Sequence, residues 1–164
     1  MRPEQIPSTA RLRDQLRVPI ATGENLYNLN EFITLFDAQA VDIIQPDLCV
    51  CGGIMEGKKI AAAAEANYVT VAPHNPLGPV SAAACVALCM ASTNVGVQEM
   101  PRRPGSEHLD LFPEQIGWAD GYAFAPDRPG LGVVMDEAVA ESMAAKPGGW
   151  PPLLRRNDGA FTNW

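Results

Sequence analysis

The chain has 164 residues, with 12 basic against 19 acidic side chains and a formal net charge of -7. Its length suits one ordinary domain, and a composition 47% hydrophobic and 19% charged supplies a core and excludes a largely disordered polymer. The acidic balance argues against binding nucleic acid or an anionic membrane through bulk charge, and favours a metal or a small polar ligand.

Met1, Arg2, Pro3 and Glu4 lack the apolar stretch of a signal peptide, and no apolar run approaches about 18 residues. The expectation is a soluble, unexported protein of the cytoplasm. Four short runs rich in branched residues follow, at 17–24 (RVPIATGE), 41–47 (VDIIQPD), 68–74 (YVTVAPH) and 94–99 (NVGVQE). They lack strict polar alternation, as suits parallel strands covered on both faces. The first three are followed by segments too long for strands, at 29–38, 53–67 and 80–92, which read as helices. In the middle one, Ile54, Ile60, Ala61 and Ala64 interleave with Lys58, Lys59 and Glu65.

Each of the four runs ends in an ionisable residue: Glu24, Asp47, His74 and Glu99, which are 23, 27 and 25 residues apart. One strand, loop and helix occupy about 25 to 30 residues, so the spacing predicts a repeated β/α unit. In barrels built from that unit the reactive groups gather at the C-terminal strand ends, where the loops share one mouth. A single carboxylate or imidazole after a strand is an ordinary cap or surface group; four in phase predict one shared site.

Around these ends, Gly52 and Gly53 could allow close approach of a ligand to a helix N-terminus, although paired glycines are also ordinary loop chemistry. Segment 73–79 (PHNPLGP) places three prolines and a glycine around His74, a stiff support of the kind a proton-transferring imidazole needs. His108 lies in the polar stretch 102–110 and is expected to be exposed. Cys49, Cys51, Cys85 and Cys89 could form disulfides or a zinc site, but they lack a C-x-x-C knuckle and read as packing thiols. Segment 102–124 reads as an irregular excursion in which Trp118, Tyr122 and Phe124 pack, with Trp150 and Trp164 anchoring the tail.

Taken in order, PIATGE at 19–24, QPD at 45–47 with GGI at 52–54, APH at 72–74 with NPLGP at 75–79, and QE at 98–99 resemble the C-terminal half of the mandelate racemase/muconate lactonizing branch of the enolase superfamily. Within that branch they are most similar to D-galactonate dehydratase-like enzymes. The likeness continues through RPGLGVVMDE at 128–137 to NDGAFTNW at 157–164, and so covers nearly the whole chain. It implies an α/β fold, the C-terminal half of a TIM-like (β/α)7β barrel of parallel strands. The N-terminal barrel strands and the α+β capping domain of that family are not in this sequence. On this reading residues 1–101 hold strands five to eight, and 102–164 form a C-terminal excursion and tail packing on barrel or cap.

The resemblance also implies roles. Glu24 matches the third of three carboxylates that hold Mg2+. Asp47 and His74 form a dyad in which Asp47 orients the imidazole and raises its basicity. Glu99 is the acid that hydrogen-bonds the substrate carboxylate, so His74 and Glu99 both touch substrate. A proton α to a carboxylate is so weakly acidic that its removal needs a base together with strong stabilisation of the enolate. In a dehydratase the 3-hydroxyl then leaves, giving a 2-keto-3-deoxy sugar acid. The expected ligand is a small sugar acid and the expected assembly a homo-oligomer. With one metal carboxylate of three, the chain alone is expected to be inactive. The alternatives are a racemase or epimerase using the same enolate chemistry, and a non-catalytic truncated barrel serving as an assembly module.

Overall fold

The computed structural model describes residues 5–143 and 155–160; Trp150 and Trp164 lie outside them. The chain opens with a helix that composition did not reveal, α1 (Ile6–Gln15). Pro7 sits in its first turn, where a missing N–H costs nothing. Only Thr9 is buried along it, so no apolar stripe marks it in the sequence. Arg13 in its last turn reaches across to Asp42 through Nε at 2.9 Å and Nη2 at 2.7 Å, and the other Asp42 oxygen accepts the Ile20 N–H at 2.8 Å. This clamp ties the first helix to the base of the sheet.

Three strands then alternate with three helices: β1 (Ala21–Thr22), α2 (Leu29–Asp37), β2 (Ile43–Ile44), α3 (Ile54–Ala66), β3 (Thr70–Val71) and α4 (Pro79–Met90). The strands are parallel and adjacent in the order β1-β2-β3, with Ala21 opposite Ile43 and Ile43 opposite Thr70. The ladders are shorter than the runs in the sequence. Pro19, Pro46 and Pro73 stand in those runs, and a residue without an N–H cannot continue a ladder from its own position. Pairing nevertheless resumes at the strand ends, where the His74 N–H donates to Pro46 O at 3.1 Å and Asp47 bridges His74. The fourth run, 94–99, is reduced to a single parallel bridge between Val95 and Val71.

The helices form for readable reasons. In α2, the Asn28 side chain caps the N–H groups of Asn30 and Glu31, while Glu31 reaches back to the Tyr27 N–H at 2.6 Å. Its buried residues Phe32, Leu35 and Phe36 fall at i, i+3 and i+4. α3 starts from Gly53 at φ +88°, a conformation that favours glycine, and buries Gly57, Ile60, Ala61 and Ala64. Pro79 starts α4. These faces enclose Ile44 and Val71 in one core with Phe32, Leu35, Ile60, Cys85 and Leu88.

The segment after 101 is more regular than its composition suggests. It contains a hairpin of β4 (Gly117–Ala119) and β5 (Tyr122–Phe124), then α5 (Glu137–Ser142). Ile116 packs on Ala82, Ala83 and Val86 of α4, with Ala123 partly buried beside them. Trp118, Tyr122 and Phe124 are not buried packing groups: they are 39%, 72% and 51% exposed. Successive residues of a strand face opposite sides, so a two-stranded hairpin that turns Ala123 inward turns Tyr122 and Phe124 out. Trp118 instead carries the Arg103 guanidinium over its ring at 4.9 Å.

Candidate active site

The strand ends bring three of the four expected residues together. Asp47 is 3% exposed, and its Oδ1 accepts the Cys49 N–H at 2.7 Å. Its Oδ2 lies 2.9 Å from His74 Nδ1. A carboxylate can only accept, so Nδ1 carries the proton and Nε2 is the nitrogen left to take up or release one. On that side stands Glu24, with Oε2 3.3 Å from Nε2 and its side chain half exposed. The imidazole is thus held between a buried carboxylate on Nδ1 and a half-exposed carboxylate beside Nε2.

Backbone geometry explains the convergence. Asp47 and His74 face each other because parallel pairing between β2 and β3 resumes after Pro46 and Pro73. Glu24 follows Gly23, whose φ of +135° turns the chain out of β1. Glu99 arrives by another route. Its Oε2 accepts the Asn75 N–H at 2.8 Å, one residue beyond His74, while the Asn75 carboxamide approaches Glu99 O at 3.5 Å. Gln98 donates to Pro73 O at 3.1 Å and to Glu99 O at 2.8 Å. The neutral amides Asn75 and Gln98 carried no role in the sequence reading, although each lies beside an ionisable strand end.

His108 is exposed, on the wall of an apolar pocket with Phe112 and Leu48. The cysteines are free. Burial, followed by the nearby Asp47 charge, pushes the Cys51 thiol up to about 11. Burial first, then Cys89 and Asp47, pushes Cys85 up to about 12, and burial pushes Cys89 up to about 11. These three therefore stay protonated at neutral pH and do not act as nucleophiles.

Among the described residues no three His, Cys, Asp or Glu side chains are placed to hold a metal ion. Glu24 offers one hard oxygen donor, whereas Mg2+ demands near-octahedral oxygen ligation. The described residues alone therefore do not make a Mg2+ site. No helix among them is long and apolar enough to cross a membrane.

A family model described as enolase C-terminal domain-like matches residues 1–139. The D-galactonate dehydratase of Ralstonia nicotianae is 41% identical over 168 aligned positions, covering 98% of this chain and 44% of the relative. The crystal structure of an enolase from Agrobacterium radiobacter with bound Na and L-malate superposes with a TM-score of 0.85 at 37% identity, over 98% of this chain and 44% of that one. A mandelate racemase/muconate lactonizing enzyme from Sulfitobacter sp gives a TM-score of 0.82 at 34% identity, over 91% of this chain and 37% of that one. The chain therefore spans less than half the length of the relatives it matches.

Proposed function

The chain belongs to the enolase C-terminal domain-like family, and from that premise we propose that it is the proton-transfer part of a Mg2+-dependent sugar-acid dehydratase of the galactonate type. The observation that carries the reading is the His74 Nδ1 to Asp47 Oδ2 contact at 2.9 Å, with Nε2 turned to the half-exposed Glu24 side chain. A base arranged in this way takes a proton at Nε2 while the resulting imidazolium is stabilised at Nδ1.

His74 removes the proton from the carbon α to the substrate carboxylate, and Asp47 holds the ring through the transfer. Glu99 accepts the Asn75 N–H on Oε2, so Oε1, carrying the proton of the neutral acid, donates a hydrogen bond to the substrate carboxylate as the enolate forms. The C3–O bond then breaks as the hydroxyl takes a proton from a general acid that these residues do not supply and leaves as water, and the enol rearranges to the 2-keto-3-deoxy acid. Glu24 Oε2 stands 3.3 Å from Nε2, so Nε2 receives the substrate proton once that half-exposed side chain moves off it. A cation held by Glu24 and further oxygen donors would supply positive charge next to the enolate.

Because Glu24 is a single donor, the chain alone is expected to leave D-galactonate unchanged in the presence of Mg2+. The test joins it to the part of the Ralstonia nicotianae dehydratase that it does not cover, and assays keto-acid formation from D-galactonate and other sugar acids in D2O. The joined protein is expected to form keto acid, and His74→Asn to lower kcat by at least about a hundredfold. A folded joined protein that yields no keto acid from any of them overturns the reading. Deuterium at C2 of recovered substrate without keto acid assigns racemase or epimerase chemistry instead.

A further inference from the structure

We propose that Gln98 is a positioning residue which, with Asn75, clamps Glu99 onto the strand end that carries His74. The inference rests on the reading of Glu99 as the group that meets the substrate, but the clamp itself can be tested without any substrate.

The need for a clamp comes from the backbone. The run 94–99 contributes only the Val95 bridge to the ladder, with the Gly96 N–H donating to Val71 O at 2.9 Å. Beyond Gly96 no ladder bond fixes the chain among the described residues, Val97 is 68% exposed, and Glu99 is exposed as well. A carboxylate there would sample many positions relative to His74, whereas an acid that meets a transition state must be held to a fraction of an ångström.

Side chains take over where the ladder stops. Gln98 Nε2 donates to Pro73 O at 3.1 Å and to Glu99 O at 2.8 Å, so one amide nitrogen ties the residue before His74 to the carbonyl of Glu99. The residue after His74 holds the other end, its N–H donating to Glu99 Oε2 at 2.8 Å. His74 is thus bracketed on both sides by bonds to 98–99. Pro73 offers a carbonyl but no N–H, so only a donor can bind this edge. A carboxamide supplies two N–H hydrogens from one nitrogen; a carboxylate or an apolar side chain of the same length supplies none. Gln98 Oε1 is in turn 3.2 Å from Cys89 Sγ on α4. Since burial keeps that thiol protonated, it is the donor, and it anchors the amide from behind. Asn75 is wholly buried, its Oδ1 has no partner among the described residues, and it borders a cavity of about 20 Å³, room for one water.

The test is hydrogen exchange by NMR on the chain itself. In the wild type, the Gln98 carboxamide protons are expected to exchange more slowly than those of the exposed Gln39. In Gln98→Glu and Gln98→Met, protection of the Asn75 amide is expected to fall roughly tenfold, the loss of about one hydrogen bond, while Ala61 and Ala64 in α3 keep theirs. In the joined protein the same variants are expected to lower kcat with KM unchanged, since the misplaced acid acts in the transition state. Fast-exchanging Gln98 carboxamide protons in the wild type overturn the clamp, and so does an Asn75 amide equally protected in the folded variants. An inactive joined protein counts against the reading of the site, and leaves the exchange result to decide the clamp.

Discussion

Gly23 is the position where fold and site meet most tightly. It adopts φ +135°, and a Cβ there would lie 2.9 Å from Phe32 Cε1 and 3.1 Å from Gln45 N. Neither neighbour can yield easily. Phe32 is fully buried, and the Gln45 N–H is engaged with Thr22 O at 2.9 Å. In Gly23→Ala the left-handed backbone costs about 1–2 kcal/mol and overpacking about 1–3 kcal/mol, a sum of roughly 3 kcal/mol. Gly53 is the control, because it has φ +88° but nothing within 4 Å of its would-be Cβ. Gly53→Ala should therefore cost only the backbone strain of about 1–2 kcal/mol. For a chain of this size each kcal/mol moves Tm by about 2–4 °C, so Gly23→Ala is expected to lower Tm by roughly 6–12 °C and Gly53→Ala by about half as much or less. Urea unfolding with thermal scans checks both. Equal costs for the two substitutions would show that Phe32 and Gln45 absorb the methyl freely, and would refute the packing argument.

The Arg13 hydrogen bonds, with the Ile20 N–H, hold the Asp42 carboxyl below the usual carboxylate range. The stabilisation is therefore complete above the unfolded carboxyl's pKa and is lost as pH falls through the lower folded value. Because both side chains are about a third exposed, screening leaves the pair worth about 1 kcal/mol. Asp42→Asn should lower urea-unfolding stability by that amount at about pH 7, the difference shrinking as pH falls below the unfolded carboxyl's range of about 4, and a difference that does not shrink in acid contradicts the assignment. Cys49 is exposed while Cys51 and Cys85 are buried with raised thiol pKa values, so mass spectrometry with a maleimide should show Cys49 labelled first in the native chain and all four thiols in urea. Rapid labelling of Cys85 under native conditions would show that α4 opens readily. The outer edge of β1 pairs with no strand among the described residues, and edges of this kind recruit another chain. Light scattering is expected to give a dimer or larger species, and a stable monomer at micromolar concentration argues against a homo-oligomer.

Much of the fold could be read from the sequence because the chemistry is punctual. Prolines at 46 and 73 immediately precede Asp47 and His74, so the same residues that shorten the ladders mark where each strand delivers its reactive group. Helices α2 and α3 could be found because each buries one apolar face on the sheet, and α4 because its apolar run is too long for a strand, being buried both on the sheet and under Ile116. α1 could not, because its attachment is a charged clamp between residues 29 positions apart, Arg13 and Asp42, which no local periodicity encodes. The hairpin aromatics misled for a related reason. Aromatic content marks potential for burial, but the side a residue faces depends on a register that only pairing with the opposite strand fixes. The same limit governs the site. Ionisable residues at four strand ends predict a shared mouth, but the bonds that tie 98–99 to the His74 strand end come from the Gln98 carboxamide, which donates to main-chain carbonyls, and from the Asn75 N–H. Such contacts leave no signature in composition, since any carbonyl is an acceptor, and they become specific only once Pro73, Asn75 and Gln98 are brought together. Geometry at this site therefore depends most on the residues whose chemistry is least conspicuous, and substitutions at Gln98 should loosen Glu99 from the Pro73–Asn75 strand end without removing either His74 or Glu99.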